Sequence, residues 1–252
     1  MDESEELLLG GNVSDRVVKV GLTVRKPFTR ATPSVEAFLN HLHAHGFRGA
    51  PRSLGRDEQG RQVLEYISGV PCRADAPLSL RELTEIGAVI RELHEASADF
   101  CAEPNAHWNI VMAPDGEDLI CHNDLAPWNL IRNDERWVFI DWDGAAPGTR
   151  LWDLSYAAVT FLPIEADGDP VSDVARLRAM VEGYGLNGAQ CRRLPELMLR
   201  RTRAMQQLLM EGGRSGQQPW ARLYAEGHAI YWGAAAEYIE RNLSGFAQSL
   251  LE

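Results

Sequence analysis

LICHNDLAPWNLIRNDERWVFIDWDG, residues 119–144, is the stretch on which the reading of this chain turns. The apolar LIC run gives way to a polar segment at 122–129. Two short runs of β composition then follow, LIR and WVFI, separated by the turn formers Asn133 and Asp134. This order predicts a strand or loop, a polar loop, and two short strands joined by a turn. The turn brings Asp141 back over the 122–129 loop, so that Asp124, Asn129 and Asp141 face one another.

Two carboxylates and one amide in that arrangement suit phosphoryl transfer. A nucleotide triphosphate concentrates negative charge, which magnesium bridges and neutralises. Magnesium takes hard oxygen ligands, commonly one or two carboxylates with amide or water oxygens. A further carboxylate held off the metal can accept the proton of an attacking hydroxyl. Asp124 suits the proton acceptor, and Asn129 and Asp141 suit the metal. Tetrahedral zinc wants more His or Cys than His122 provides. His122 is expected to brace the loop, and Asp143 to be a solvated neighbour or turn former as readily as a site residue. Trp128, Trp142 and Trp152 read as packing residues, with Trp128 an alternative edge of an acceptor pocket.

HNDLAPWN at 122–129, FIDWD at 139–143 and PGTRLWDL at 147–154 resemble the aminoglycoside phosphotransferase and choline kinase family, relatives of protein kinases. The helix IGAVIRELHEA at 86–96 and the segment LEYISG at 64–69 are similar to that family's helix before the catalytic loop and to its hinge. The resemblance covers most of residues 10–160 and fades after about 165. It implies an α+β, two-lobed protein-kinase-like fold: a small antiparallel-sheet N-lobe at residues 1–70 and a mostly helical C-lobe at 71–252. By the same resemblance Asp124 is the catalytic aspartate, Asn129 and Asp141 are magnesium ligands, and Asp153 supports the loop. Glu65, Tyr66 and Ile67 lie at the adenine edge of ATP or GTP, mostly through backbone groups. A strand cation contacts the phosphates and pairs with a helix glutamate, for which Glu36 is the candidate. The cation is Arg25 or Lys26; alternation sends these to opposite faces, and the spacing to Pro27 favours Arg25. Asn123 stands where the family has glycine.

Outward from the loop, RVVKVGLTVRK at 16–26 reads as two β segments around Gly21. Thr32 and Pro33 open a helix whose apolar face is Val35, Phe38, Leu39 and Leu42, and Gly46 ends it. Two strands at 52–67 flank the turn DEQG. Ser79 and Glu82 form a capping box before a helical stripe. From Asp153 onward helical patterns dominate. The pair Gly10 and Gly11 is the candidate phosphate-covering turn.

The net charge of −11 argues against nucleic acid as a partner. Residues 63–142 hold 15 acidic and 5 basic residues, so the acidity gathers around the loop, where it would attract metal ions and a cationic acceptor. No apolar run is long enough to span a bilayer, and the four cysteines lack paired spacing, which fits a cytoplasmic protein. The expected activity is transfer of a nucleotide γ-phosphate to a hydroxyl of a small molecule, such as an aminoglycoside, another antibiotic or an amino alcohol. Two alternatives are a kinase-fold binding or toxin-immunity protein with little or no catalysis, and a metal-dependent hydrolase built on His122, Asp124 and Asp141.

Overall fold

The computed structural model describes residues 4–8, 17–73, 76–133, 136–162, 164–165 and 167–251. The Gly10–Gly11 turn lies outside the described residues.

The first part of the chain folds as a five-stranded antiparallel sheet and one helix. The strands are β1 (Glu6–Leu7), β2 (Val18–Val20), β3 (Thr23–Lys26), β4 (Ser53–Arg56) and β5 (Gln62–Glu65), in the order β1-β2-β3-β5-β4. Gly21, at a φ of 58°, supplies the left-handed residue that the tight β2–β3 turn demands. Asp57 closes the β4–β5 turn by accepting from the backbone N–H of Gln59 and Arg61. Helix α1 (Thr32–Ala44) runs between β3 and β4 and buries Val35, Phe38, Leu39 and Leu42. Its cap is Ala31 rather than Thr32; the Thr32 hydroxyl accepts from the Thr29 N–H instead. Gly46, at a φ of 85°, ends the helix.

The second part begins with β6 (Val70–Pro71), which pairs with a later hairpin. Helix α2 (Leu80–Ser97) starts at the Ser79–Glu82 capping box. Strands β7 (Leu119–Cys121), β8 (Leu130–Arg132), β9 (Trp137–Phe139) and β10 (Ala146–Gly148) form two small antiparallel pairs, β8 with β9 and β7 with β10. These pairs clamp the loop from both ends. Leu130 sits opposite Phe139, and Cys121 opposite Ala146. The segments 122–129 and 140–145 therefore have to face each other.

Helices α3 (Arg150–Phe161), α4 (Pro170–Tyr184), α5 (Gly188–Ser215), α6 (Trp220–Ala225) and α7 (His228–Ser249) complete the chain. The whole is a two-lobed α+β fold. One hydrophobic core runs from Phe38 and Leu39 on α1, through Trp142 and Phe139, to Leu194 and Ile239. The Phe38 and Trp142 rings lie 5.9 Å apart, which ties the helix of the first sheet to the residue following Asp141.

Helices α2 and α4 approach so closely that their backbones touch through glycine. A Cβ on Gly183 would strike the Thr84 carbonyl, and one on Gly87 the Met180 carbonyl. Both obstacles are backbone, which cannot swing aside. Gly183→Ala is therefore expected to destabilise the protein by about 1–3 kcal/mol. Chemical denaturation measures this, and an unchanged midpoint would contradict the close approach.

Candidate active site

The loop after β7 is held from below by one buried carboxylate. Asp153, in the first turn of α3 and fully buried, accepts from the backbone N–H of His122 at 3.0 Å and of Asn123 at 2.8 Å. It also bonds His94 Nε2 at 3.1 Å, and His94 Nδ1 bonds the Tyr184 hydroxyl at 2.8 Å. Burial alone would raise the Asp153 pKa; the His94 hydrogen bond and charge, with the Asn123 N–H, hold it below the ordinary value. His94, Cys121 and Asp153 offer ligand atoms within 4.8 Å of one another. Both His94 nitrogens and the Asp153 carboxylate are already engaged, so the cluster acts as a brace.

Each residue of the loop then has a fixed place. The His122 ring is buried; its Nδ1 accepts from the Asp124 N–H at 3.2 Å and its Nε2 meets the Ile140 carbonyl at 3.1 Å. That pattern requires the tautomer with the proton on Nε2. Asn123 takes a φ of 64°, a left-handed conformation that asparagine tolerates better than most residues. Its amide nitrogen donates to the Gly144 and Ala146 carbonyls at 3.3 and 3.2 Å. Where glycine would merely permit the bend, asparagine ties the loop to the facing segment.

Asp124 points into a cleft of about 970 Å³, which Asp141, Asp143 and Trp128 also line. Its carboxylate accepts from Asn129 Nδ2 at 2.7 Å, and the Tyr156 hydroxyl is near enough to act on it. Burial raises the Asp124 pKa, the Asp141 charge adds to this, and His122, Asn129 and Tyr156 oppose it. The result is a carboxyl more basic than usual, which suits a proton acceptor. Asp141 follows β9 at a φ of 61°, a second non-glycine residue in the left-handed region. Both such residues among those described lie in the two facing segments, as expected where geometry is set by function.

The strand cation in the cleft is Lys26, not Arg25. Lys26 is 7% exposed, and its Nζ lies 2.8 Å from both Asp141 Oδ1 and Asp143 Oδ2. Burial works against its charge, but Asp141 and Asp143 outweigh burial and raise its pKa. Lys26 in turn holds the Asp141 carboxyl below the ordinary range against the upward push of burial. Arg25 takes the other face of β3, bonded to Thr23 and 3.4 Å from Asp57. The expectation for Glu36 also changes. Its nearest cation is Arg56 at 3.9 Å, and its Oε1 is buried without a hydrogen-bond partner. The Glu65 carboxylate is spent on Arg52 and Arg136, at 3.5 and 3.8 Å, and the Tyr66 N–H donates to the Leu22 carbonyl. Ile67 is buried. Any contact of this segment with a base therefore falls to the remaining backbone groups.

The donor set fits magnesium. Asp141 and Asp143 converge on one positive charge, and all their donor atoms are hard oxygens. Asn129 commits its amide nitrogen to Asp124, through both carboxylate and carbonyl, which leaves its oxygen to offer.

Three further residues of the site have a weak signal in the sequence or none. Asp143 pairs with Lys26. Tyr156 lies three residues after Asp153 on α3, and that i,i+3 spacing was its available signal. Arg201 of α5 reaches the loop from the far side, and nothing in its sequence context marks it.

Comparison with known proteins follows the same lines. Residues 102–193, which include Asp124, Asn129, Asp141 and Asp153, match the model of the phosphotransferase enzyme family. A trifolitoxin immunity protein of Rhizobium leguminosarum bv. trifolii is 28% identical over 203 residues, covering 74% of this chain and 77% of that protein. A choline/ethanolamine kinase family protein from Mesorhizobium loti shares the fold at a TM-score of 0.64 and 17% identity, over 99% of this chain and 93% of that one. Amicoumacin kinase, solved with AMP-PNP, Ca2+ and Ami, superposes at 0.65 and 12% identity, over 94% of this chain and 88% of that one. The resemblance to aminoglycoside phosphotransferases and choline kinases thus holds for the loop segment by sequence and for the chain by fold.

The depressed pKa of Asp153 makes a prediction. Its ionised form stabilises the fold above the ordinary value of 3.8, and that contribution is lost as pH falls through the lower folded value. Asp153→Asn is expected to cost about 3 kcal/mol at neutral pH. The gap to wild type should narrow in acid. A gap independent of pH in denaturant titrations would refute the assignment.

Proposed function

We propose that this protein is a small-molecule kinase that moves the γ-phosphoryl group of magnesium-bound ATP or GTP onto an acceptor hydroxyl. The observation that carries this reading is the convergence of four side chains: Asp124 and Asp141 line one cleft, Asn129 bonds Asp124, and Lys26 pairs with Asp141. In this reading Asn129, Asp141 and Asp143 hold magnesium, which when bound draws off charge from the phosphates. Lys26 leaves its resting partners to meet a phosphate oxygen. The Asp124 carboxylate takes the proton of the acceptor hydroxyl as the new O–P bond forms. The bond from phosphorus to the β,γ-bridging oxygen breaks, and the nucleoside diphosphate departs.

The acceptor would occupy the cleft beside Asp124. Trp128, Trp220 and Tyr231 offer it aromatic faces, and Glu165 and Glu226 add carboxylates. Such a surface suits a bulky molecule with an apolar body and a cationic group. The names of the similar structures, amicoumacin kinase and spectinomycin phosphotransferase, agree with an antibiotic-sized acceptor.

A second reading has one specific support, the likeness to a toxin immunity protein. Protection by phosphorylating a toxin and protection by sequestering it predict different products, so the same assays separate them.

Asp124→Asn is expected to lower phosphoryl transfer by about 10²–10⁴-fold while leaving magnesium–nucleotide affinity within about threefold. Full activity of this variant on a true acceptor would remove Asp124 from the role. Lys26→Met should weaken nucleotide binding by about tenfold or more, whereas Arg25→Met should stay within about twofold. Calorimetry with AMP-PNP measures both, and the reverse order would return the role to Arg25.

A further inference from the structure

We propose that Arg201 is a positioning residue for Asp124, linking the acceptor wall to the loop. The proposal rests on the reading of Asp124 as proton acceptor. Arg201 is 2% exposed, inside the protein at the middle of α5. Its Nη2 donates to the Asn123 carbonyl at 2.6 Å, and its Nη1 meets Met112 Sδ at 3.2 Å. Its guanidinium lies over the rings of Tyr156 and Trp152, at 4.8 and 5.0 Å. Tyr156 in turn lines the cleft with Asp124 and acts on its carboxylate. Arg201 thus reaches two neighbours of Asp124: the peptide before it and the tyrosine beside it in the cleft.

The chemistry is costly for a residue that only fills space. None of the described carboxylates lies within ion-pair distance of Arg201, and its Nε is buried without a hydrogen-bond partner. Asp124 and Asp153 act on it only through the field. A methionine of similar length would fill the volume without desolvating a charge. What the guanidinium supplies is a planar donor aimed at one carbonyl and a flat face for two aromatic rings. The carbonyl belongs to Asn123, the residue at a φ of 64°. Asn123 is therefore held at its N–H by Asp153, at its side chain by Gly144 and Ala146, and at its carbonyl by Arg201.

Arg201 is also the member of this set that belongs to the acceptor wall. The same helix continues to Met205, Leu208 and Leu209, which line the cleft. At 1.5 Å per residue Leu209 lies roughly 12 Å along a rigid rod from Arg201. A molecule seated against those side chains presses on the element that holds the Asn123 carbonyl.

The test uses Arg201→Met and Arg201→Lys in the full chain, with two readouts. Amide hydrogen exchange without ligand is expected to quicken at 122–125 in Arg201→Met, while α3 and α5 keep their protection. Transfer kinetics should show kcat reduced by about 100-fold with the nucleotide KM within about twofold. Arg201→Lys should recover part of both effects. Unchanged exchange at 122–125, or protection lost throughout α3 and α5, would make Arg201 a packing residue and overturn the proposal. If Arg201→Met does not fold, Arg201→Lys decides on the same readouts, and wild-type loop exchange there would also overturn it. Exchange needs no substrate. A loosened loop in a protein that phosphorylates no acceptor would therefore sink the kinase reading and leave the positioning role standing.

Discussion

The Asp153 carboxylate, buried and bonded to two consecutive backbone N–H groups, is the constraint on which the site depends. A charge placed there is tolerable only because His94 and the loop amides satisfy it. The loop amides, in turn, have to lie where that carboxylate can reach them. The loop is thereby nailed to the first turn of α3 before Asp124 projects into the cleft. The β7–β10 and β8–β9 pairs do the same for the facing segment, so the distance between Asp124 and Asp141 is set by backbone pairing rather than by side-chain preference.

Electrostatics complete the design. Around the cleft the chain sets Asp124, Asp141 and Asp143 near one another, an arrangement that repels itself in the absence of cations. Lys26 relieves two of the three by bridging Asp141 and Asp143. Asp124 is relieved by a hydrogen bond from Asn129 and by the nearby Tyr156 hydroxyl. The two aspartates consequently move in opposite directions, Asp141 toward permanent ionisation and Asp124 toward greater basicity. Such a separation is what distinct metal-binding and proton-accepting roles call for. The orphaned Glu36 Oε1 belongs to the same picture: the carboxylate on α1 meets Arg56, at 3.9 Å, while Lys26 is held by the loop.

Much of this was legible from residue order, and the exceptions have physical causes. The Ser79 capping box, the Gly46 helix end and the β8–β9 pairing follow from local rules that tertiary contacts do not override. The loop of Asp124 was legible because oxygen ligands at such spacing have few other uses. Choosing between Arg25 and Lys26 was not a local question. Alternation puts them on opposite faces, but which face meets the cleft depends on how β3 pairs with β5 and on what covers each side. Arg201 was illegible because RRTR reads as a solvated helix face, and only the packing of α5 against α3 draws one of its arginines inward. β10 was illegible for a similar reason. Ala146, Pro147 and Gly148 have no strand propensity, and pairing with β7 alone makes them a strand.

The central claim is that the loop and Asp141 together form a metal–nucleotide site. Electron paramagnetic resonance with Mn2+ as the probe tests it most directly. With AMP-PNP present, the wild-type protein should immobilise Mn2+, and Asp141→Asn should lose that signal. Immobilisation that is indifferent to AMP-PNP and unchanged in Asp141→Asn would contradict the account.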